Sequence, residues 1–262
     1  MPKYIREGRF GPPKTWKTGS ILGNKKKGIK SYPQPILMLS FDAGGHEICP
    51  DVAPEDVLLF EDFSKRHAEG RSPAPITVVD LSFKALLDFE NTYAPSKDAK
   101  TFDETVKVIN LLRKSCPYKT ILVDPVTELS NTILRHQAVV NQAALADARK
   151  WAGNVGAKVQ QVIEYCCSLP ANVVFLFHTE IVVVEETKKI YEQPMVYSKL
   201  RDYVGGKFSQ YFYQHIHGGK PILRVKPFEL VSGLGSRWPE FTKEIIGPTF
   251  EEIYGAYPET YK

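Results

Sequence analysis

Gly11, Lys17 and Thr18 are spaced as in the phosphate-binding loop G-x-x-x-x-G-K-[ST], with Trp16 standing where the second glycine belongs. In such a loop successive backbone N–H groups wrap the phosphates, the lysine reaches the β- and γ-phosphates, and the hydroxyl ligates Mg²⁺. Gly11, Pro12, Pro13, Lys14, Thr15, Trp16, Lys17 and Thr18 are therefore the candidate nucleotide-binding residues, with Lys17 on phosphate and Thr18 on the metal. The second glycine serves a chain that passes close to phosphate and can need φ > 0, which a bulky side chain disfavours. From these residues alone a basic Pro/Lys/Thr surface turn is an equal reading.

Three further polar residues end apolar runs. Residues 120–124 form a strand-like segment closing on Asp124, the pattern by which such sites hold Mg²⁺ on the far side of the phosphates, so Asp124 joins Thr18 as a candidate metal residue. The run 35–41 leads into Asp42 and the glycines Gly44 and Gly45, and the run 172–177 leads into His178. Were these strands parallel neighbours, Asp42, Asp124, His178 and Lys17 would share one rim of the sheet, where open α/β folds place their ligands.

The elements that must position them alternate between strand and helix. Strands are expected at 4–10, 35–41, 76–80, 120–124 and 172–180, and helices at 18–22, 55–69, 102–114 and 151–169. The pattern predicts a three-layer α/β domain over residues 1–180, a mostly parallel five-stranded sheet between helices. Arg6, Glu7 and Arg9 make the first strand polar for a central parallel position. A β-hairpin-rich appendage is expected from 181 to 228, within an extension over 181–262 that packs on the same domain and ends in a helix around 241–254. Tyr211 and Tyr213 read either as sheet packing or as a platform for bases, and His215 and His217 share a strand face without an evident third metal ligand.

Composition narrows the class without choosing the function. With 262 residues, 24% charged and 43% hydrophobic, the chain suits a globular domain with a substantial core. The balance of 34 Lys+Arg against 30 Asp+Glu gives +4, which permits a local basic patch and does not demand a polyanionic partner. The first ten residues lack the apolar run of a secretory signal, and no apolar stretch reaches the roughly 20 residues of a membrane helix, so a cytoplasmic setting with no membrane is expected. Four cysteines without paired spacing suggest buried thiols rather than a zinc site or disulfide framework.

Together these features resemble the RecA-like P-loop ATPases carried by phages, the small single-strand annealing and recombination ATPases, over residues 4–238. The resemblance rests on Gly11, Lys17 and Thr18, on Phe41 to Gly45, on the 121–129 strand and turn, on Phe177, His178 and Thr179, and on a late Gly-x-Arg at Arg237. The sequence departs at Trp16 for glycine, at Pro125 for serine and at Asp42 for glutamate. The resemblance implies ATP and Mg²⁺ as cofactors, Asp42 orienting the attacking water, and His178 sensing the γ-phosphate. It also implies a homo-oligomeric ring or filament in the host cytoplasm, in which Arg237, Lys199 or Arg201 reaches a neighbour's phosphates. Single-stranded DNA would meet loops at 130–150 and 185–198 through Arg135, Arg149, Lys188 and Lys189. The competing class is a non-catalytic relic of the loop, serving as a DNA-binding or structural module.

Overall fold

Short apolar runs bounded by turns become buried strands because a parallel strand covered on both faces has no polar side to show. In the computed structural model, which describes residues 4–42, 44–82, 95–140, 148–186, 188–196, 198–228, 231, 233–236 and 245–255, such runs form β2 (Ile36–Ser40), β4 (Ile76–Asp80), β5 (Thr120–Asp124) and β6 (Asn172–Phe177), and the more polar β1 (Arg6–Phe10) joins them. Between and after them lie α1 (Lys17–Leu22), β3 (Val57–Leu58), α2 (Phe60–Ala68), α3 (Pro95–Lys114), α4 (Val126–Val140) and α5 (Ala148–Cys167). The chain continues through β7 (Thr179–Val184), β8 (Lys189–Pro194), α6 (Ser198–Lys207), β9 (Gln210–His217), β10 (Lys220–Arg224), β11 (Gly235–Ser236), β12 (Ile245–Ile246) and α7 (Phe250–Tyr254).

The fold is α/β with a mostly parallel sheet and a separate antiparallel hairpin, and the sheet is larger than the expected five strands. Among the described residues it has ten, in the order β12-β10-β9-β1-β6-β5-β2-β4-β3 with β11 on β9, while β7 and β8 pair only with each other. From β9 to β3 every neighbouring pair is parallel. The expectation missed β9 because its turn to β10 reads as an isolated hairpin; β9 instead extends the sheet beside β1, with Gly8 opposite Tyr211. Among the described strands of the expected appendage, β7 and β8 stand apart from the sheet while β9 and β10 join it. The helix foreseen at 55–69 begins five residues later than its first expected position, at Phe60, because Val57 and Leu58 pair with Val78 and Val79 of β4. The pattern Leu81, Phe83, Leu86 and Leu87 also suggests a short helix and loop after Asp80, and 83–94 lie outside the described residues.

Two apolar cores lie on opposite faces of the sheet. One joins Leu37, Leu39, Val123 and Phe175 to α2 through α6; the other joins Ile36, Met38, Leu122 and Val174 to α1 and α7. Tyr211 and Tyr213 are packing residues, each only 4% exposed, with Phe10 stacked on the first and edge-on to the second.

The polar residues of β1 have partners in the interior. The Arg6 guanidinium donates to the carbonyls of Cys167, Leu169 and Ala171 at 2.6–2.9 Å, closing the turn that follows α5. Glu7 and Arg9 are both fully buried and form an ion pair. Arg9 also donates to Ser20 Oγ at 2.9 Å, Gln214 Oε1 at 3.2 Å and the Pro248 carbonyl at 3.0 Å, while Tyr32 donates to Glu7 at 2.9 Å and Tyr254 donates to the same carboxylate. Removing one member of a buried ion pair leaves the other charge uncompensated. Arg9→Met is therefore expected to cost about 3–5 kcal/mol in urea unfolding, and Glu7→Gln/Arg9→Met distinctly less than that single change.

Candidate functional site

Parallel pairing brings the strand ends level. Phe10 sits opposite Phe177, Ser40 opposite Asp124, and Val123 opposite Phe175, so the residues just beyond β1, β2, β5 and β6 emerge at one edge. There a cavity of about 480 Å³ is lined by residues 13–18 with Asp42, Gly45, Asp124 and His178. Lys17, Asp42, Asp124 and His178, expected on one rim, do share one.

The loop between β1 and α1 holds a specific shape. Lys14 and Trp16, two residues apart, take left-handed backbone with φ of 61° and 67°. Alternation of ordinary and left-handed residues turns successive N–H groups toward one concavity, the arrangement that cradles anions. For residues other than glycine this conformation costs on the order of 1–2 kcal/mol each. The Trp16 indole lies over Gly19: a Cβ there would come within 2.1 Å of the indole nitrogen, so the glycine after Thr18 makes the room that glycine at position 16 would have made unnecessary. Gly23, with φ 80°, then ends the helix and donates to the Gly19 carbonyl.

Lys17 is buried to 8% exposure, and its ammonium donates to the carbonyls of Gly11 and Pro12 at 2.8 Å each. Burial lowers its pKa to about 8, with Asp124 opposing the shift. Thr18 donates to Asp124 Oδ2 at 2.5 Å, tying the start of α1 to the end of β5. Burial raises the Asp124 pKa to about 6, against the Thr18 hydrogen bond and the Lys17 charge, and with help from Asp42. Asp42 itself is exposed on the rim, its carbonyl accepting from Ser40 Oγ. His178 is held through its backbone: its N–H donates to Thr127 Oγ1 at 3.0 Å, and its carbonyl accepts from Met195 N–H at 2.8 Å. Burial and Lys17 lower its imidazole pKa, so the ring is neutral at physiological pH.

Two residues of the site were not singled out beforehand. Thr127, fully buried, fixes His178, and Gln214, fully buried in β9, donates from Nε2 to the Thr15 carbonyl at 2.7 Å. Thr127 carried a signal, since it follows the apolar-strand-then-acid pattern by three residues; Gln214 carried none, being one polar position in an alternating strand. Arg237 lies outside the described residues. Arg135 falls in α4, Arg149 in α5, and Lys199 and Arg201 in α6. The loop expected over 130–150 is thus largely helical: α4 runs to Val140 and α5 starts at Ala148. Lys188 turns the β7–β8 hairpin with φ 54°, beside an exposed Lys189. His215 accepts a hydrogen bond from Arg224 at 3.2 Å. No helix among the described residues is long and apolar enough to cross a membrane.

Comparison with protein-family models and with curated proteins returned no match.

The electrostatics predict how stability and pH are linked at Asp124. Its folded-state pKa of about 6 lies above the ordinary 3.8, so protonation favours folding below pH 4 and that contribution is lost as pH rises through 6. Asp124→Asn should therefore raise the midpoint of thermal unfolding at pH 7, and the gain should shrink toward zero as pH falls from 6 to 4. Unfolding scans of both proteins across that window check it.

Proposed function

We propose that this protein binds Mg²⁺ and ATP at the 11–18 loop and hydrolyses the nucleotide as a RecA-like P-loop ATPase. The observation that carries the reading is the Thr18–Asp124 hydrogen bond across the edge of the sheet, set in one cavity with Lys17 and the left-handed turns at Lys14 and Trp16. A phosphate loop needs its hydroxyl and a strand-end acid close enough to serve one hydrated cation, and these two touch across the intervening β6.

The donor set suits the metal. Thr18 Oγ and the Asp124 carboxylate are hard oxygen ligands, and Mg²⁺ takes one or two protein oxygens plus phosphates and water rather than a full protein cage. Mg²⁺ would supply neutralisation of charge on the β- and γ-phosphate oxygens. Lys17 exchanges its hydrogen bonds to two loop carbonyls for bonds donated to phosphate oxygens, Asp42 orients water from the rim, and neutral His178 offers a hydrogen bond to the γ-phosphate from its strand end. Asp42 is one methylene shorter than glutamate, which favours slow turnover because water placement is sensitive to small displacements.

Isothermal titration with Mg·ATP tests the binding. Saturable binding is expected for the wild type and a loss of about 100-fold or more for Lys17→Ala, since a charged hydrogen bond and a desolvated cation are both removed. Asp42→Asn should retain binding and lower the hydrolysis rate by about tenfold or more. Binding indifferent to Lys17→Ala would favour the relic reading, in which Trp16 reshapes the loop for a structural role.

Single-stranded DNA handled by a homo-oligomer is the substrate this proposal carries. What supports it is the β7–β8 hairpin, which leaves the sheet beside His178 and presents Lys188 and Lys189 at its turn. DNA affinity measured across a salt series should fall as salt rises, and Lys188→Ala/Lys189→Ala should reduce the slope of log K against log salt by about 2. A monomer in solution with no salt-dependent DNA binding, with or without ATP, would remove this part of the proposal.

A further inference from the structure

Gln214 touches the phosphate loop twice, and neither contact belongs to the loop motif. Its side-chain amide donates to the Thr15 carbonyl at 2.7 Å, and its own carbonyl abuts Gly11 so closely that a Cβ on Gly11 would lie 1.9 Å away. Gln214 is fully buried, and its Oε1 accepts from Arg9 at 3.2 Å, so the buried charge network of β1 dictates which way the amide faces.

We infer that Gln214 is a positioning residue for nucleotide binding: it holds the Thr15–Trp16 peptide so that the Trp16 N–H faces the phosphates. This rests on the nucleotide reading above. A trans peptide is planar, and its carbonyl and N–H point in opposite directions. Anchoring the Thr15 carbonyl inward on a buried amide therefore turns the Trp16 N–H outward. Rotation of that peptide changes ψ of Thr15 and φ of Trp16 together, so the same hydrogen bond holds Trp16 at φ 67°, a conformation a tryptophan does not adopt unaided. A glycine at position 16 would tolerate this backbone without help; with tryptophan there, the restraint comes from β9 instead. The loop carries its active shape through a residue about two hundred positions away in sequence, as the Gln214–Thr15 separation of 199 shows.

Gln214→Met keeps side-chain length and removes the donor. With the peptide free to rotate, Kd for Mg·ATP is expected to rise about tenfold, and Kd for Mg·triphosphate, which lacks base and ribose, by the same factor. Val162→Ala, a core truncation in α5 remote from the loop, serves as the stability control and should leave both constants unchanged. In a Trp151→Phe/Trp238→Phe background the emission of Trp16 reports the loop directly; Gln214→Met should shift it and Val162→Ala should not. Unchanged Kd and emission in Gln214→Met, or equal changes in both variants, would overturn the positioning role. If the wild type binds neither ligand, the nucleotide reading fails on its own, and the Trp16 emission still decides whether Gln214 sets the loop.

Discussion

A carboxylate and a guanidinium sealed in the middle of a parallel sheet must be compensated on every side, and the Glu7–Arg9 pair of β1 organises its surroundings accordingly. Neither charge reaches water, so each remaining lone pair and N–H requires a partner from another element. Those partners come from α1 through Ser20, from the segment before β2 through Tyr32, from β9 through Gln214, and from the C-terminal region through Pro248 and Tyr254. Through these bonds the pair ties all four regions to β1, directly before the loop that follows it.

The edge of the sheet next to it is organised by desolvation. Asp124 and Lys17 sit in surroundings that disfavour their charged forms, and each holds the other's charge in place. Such a site is a poor contributor to stability and a good receiver of a compensating ligand: a cation would relieve Asp124, and an anion would relieve Lys17. The neutral His178 beside them adds a hydrogen-bonding group without adding to the charge.

Trp16 departs from the G-x-x-x-x-G-K-[ST] spacing, and its left-handed backbone has identifiable supports. The indole needs room and the backbone needs restraint. Gly19 supplies the first by having no side chain beneath the ring, and Gln214 supplies the second by fixing the preceding peptide. The left-handed turn at Trp16 is thus held with its cost carried by contacts elsewhere.

Much of the fold was legible in the chain itself. Runs such as Ile36–Leu39 and Ile121–Val123 are apolar throughout and short, so they specify covered parallel strands. The spacing of Gly11, Lys17 and Thr18 and the acid closing β5 placed the candidate site before any contact was known. Strand order was not legible, because hydrophobic pattern fixes which residues are buried but not which strand lies beside which; β9 therefore read as half of a detached hairpin. Nor could the polar letters of β1 be assigned, since the pair's partners in other elements lie from 11 to 247 residues away along the chain. The sequence by itself determined the elements and the chemical groups at their ends, through local periodicity and spacing. Only the tertiary structure decided that those groups meet, and that Gln214 holds the loop among them, because hydrogen bonds between distant segments depend on register, which local pattern does not encode.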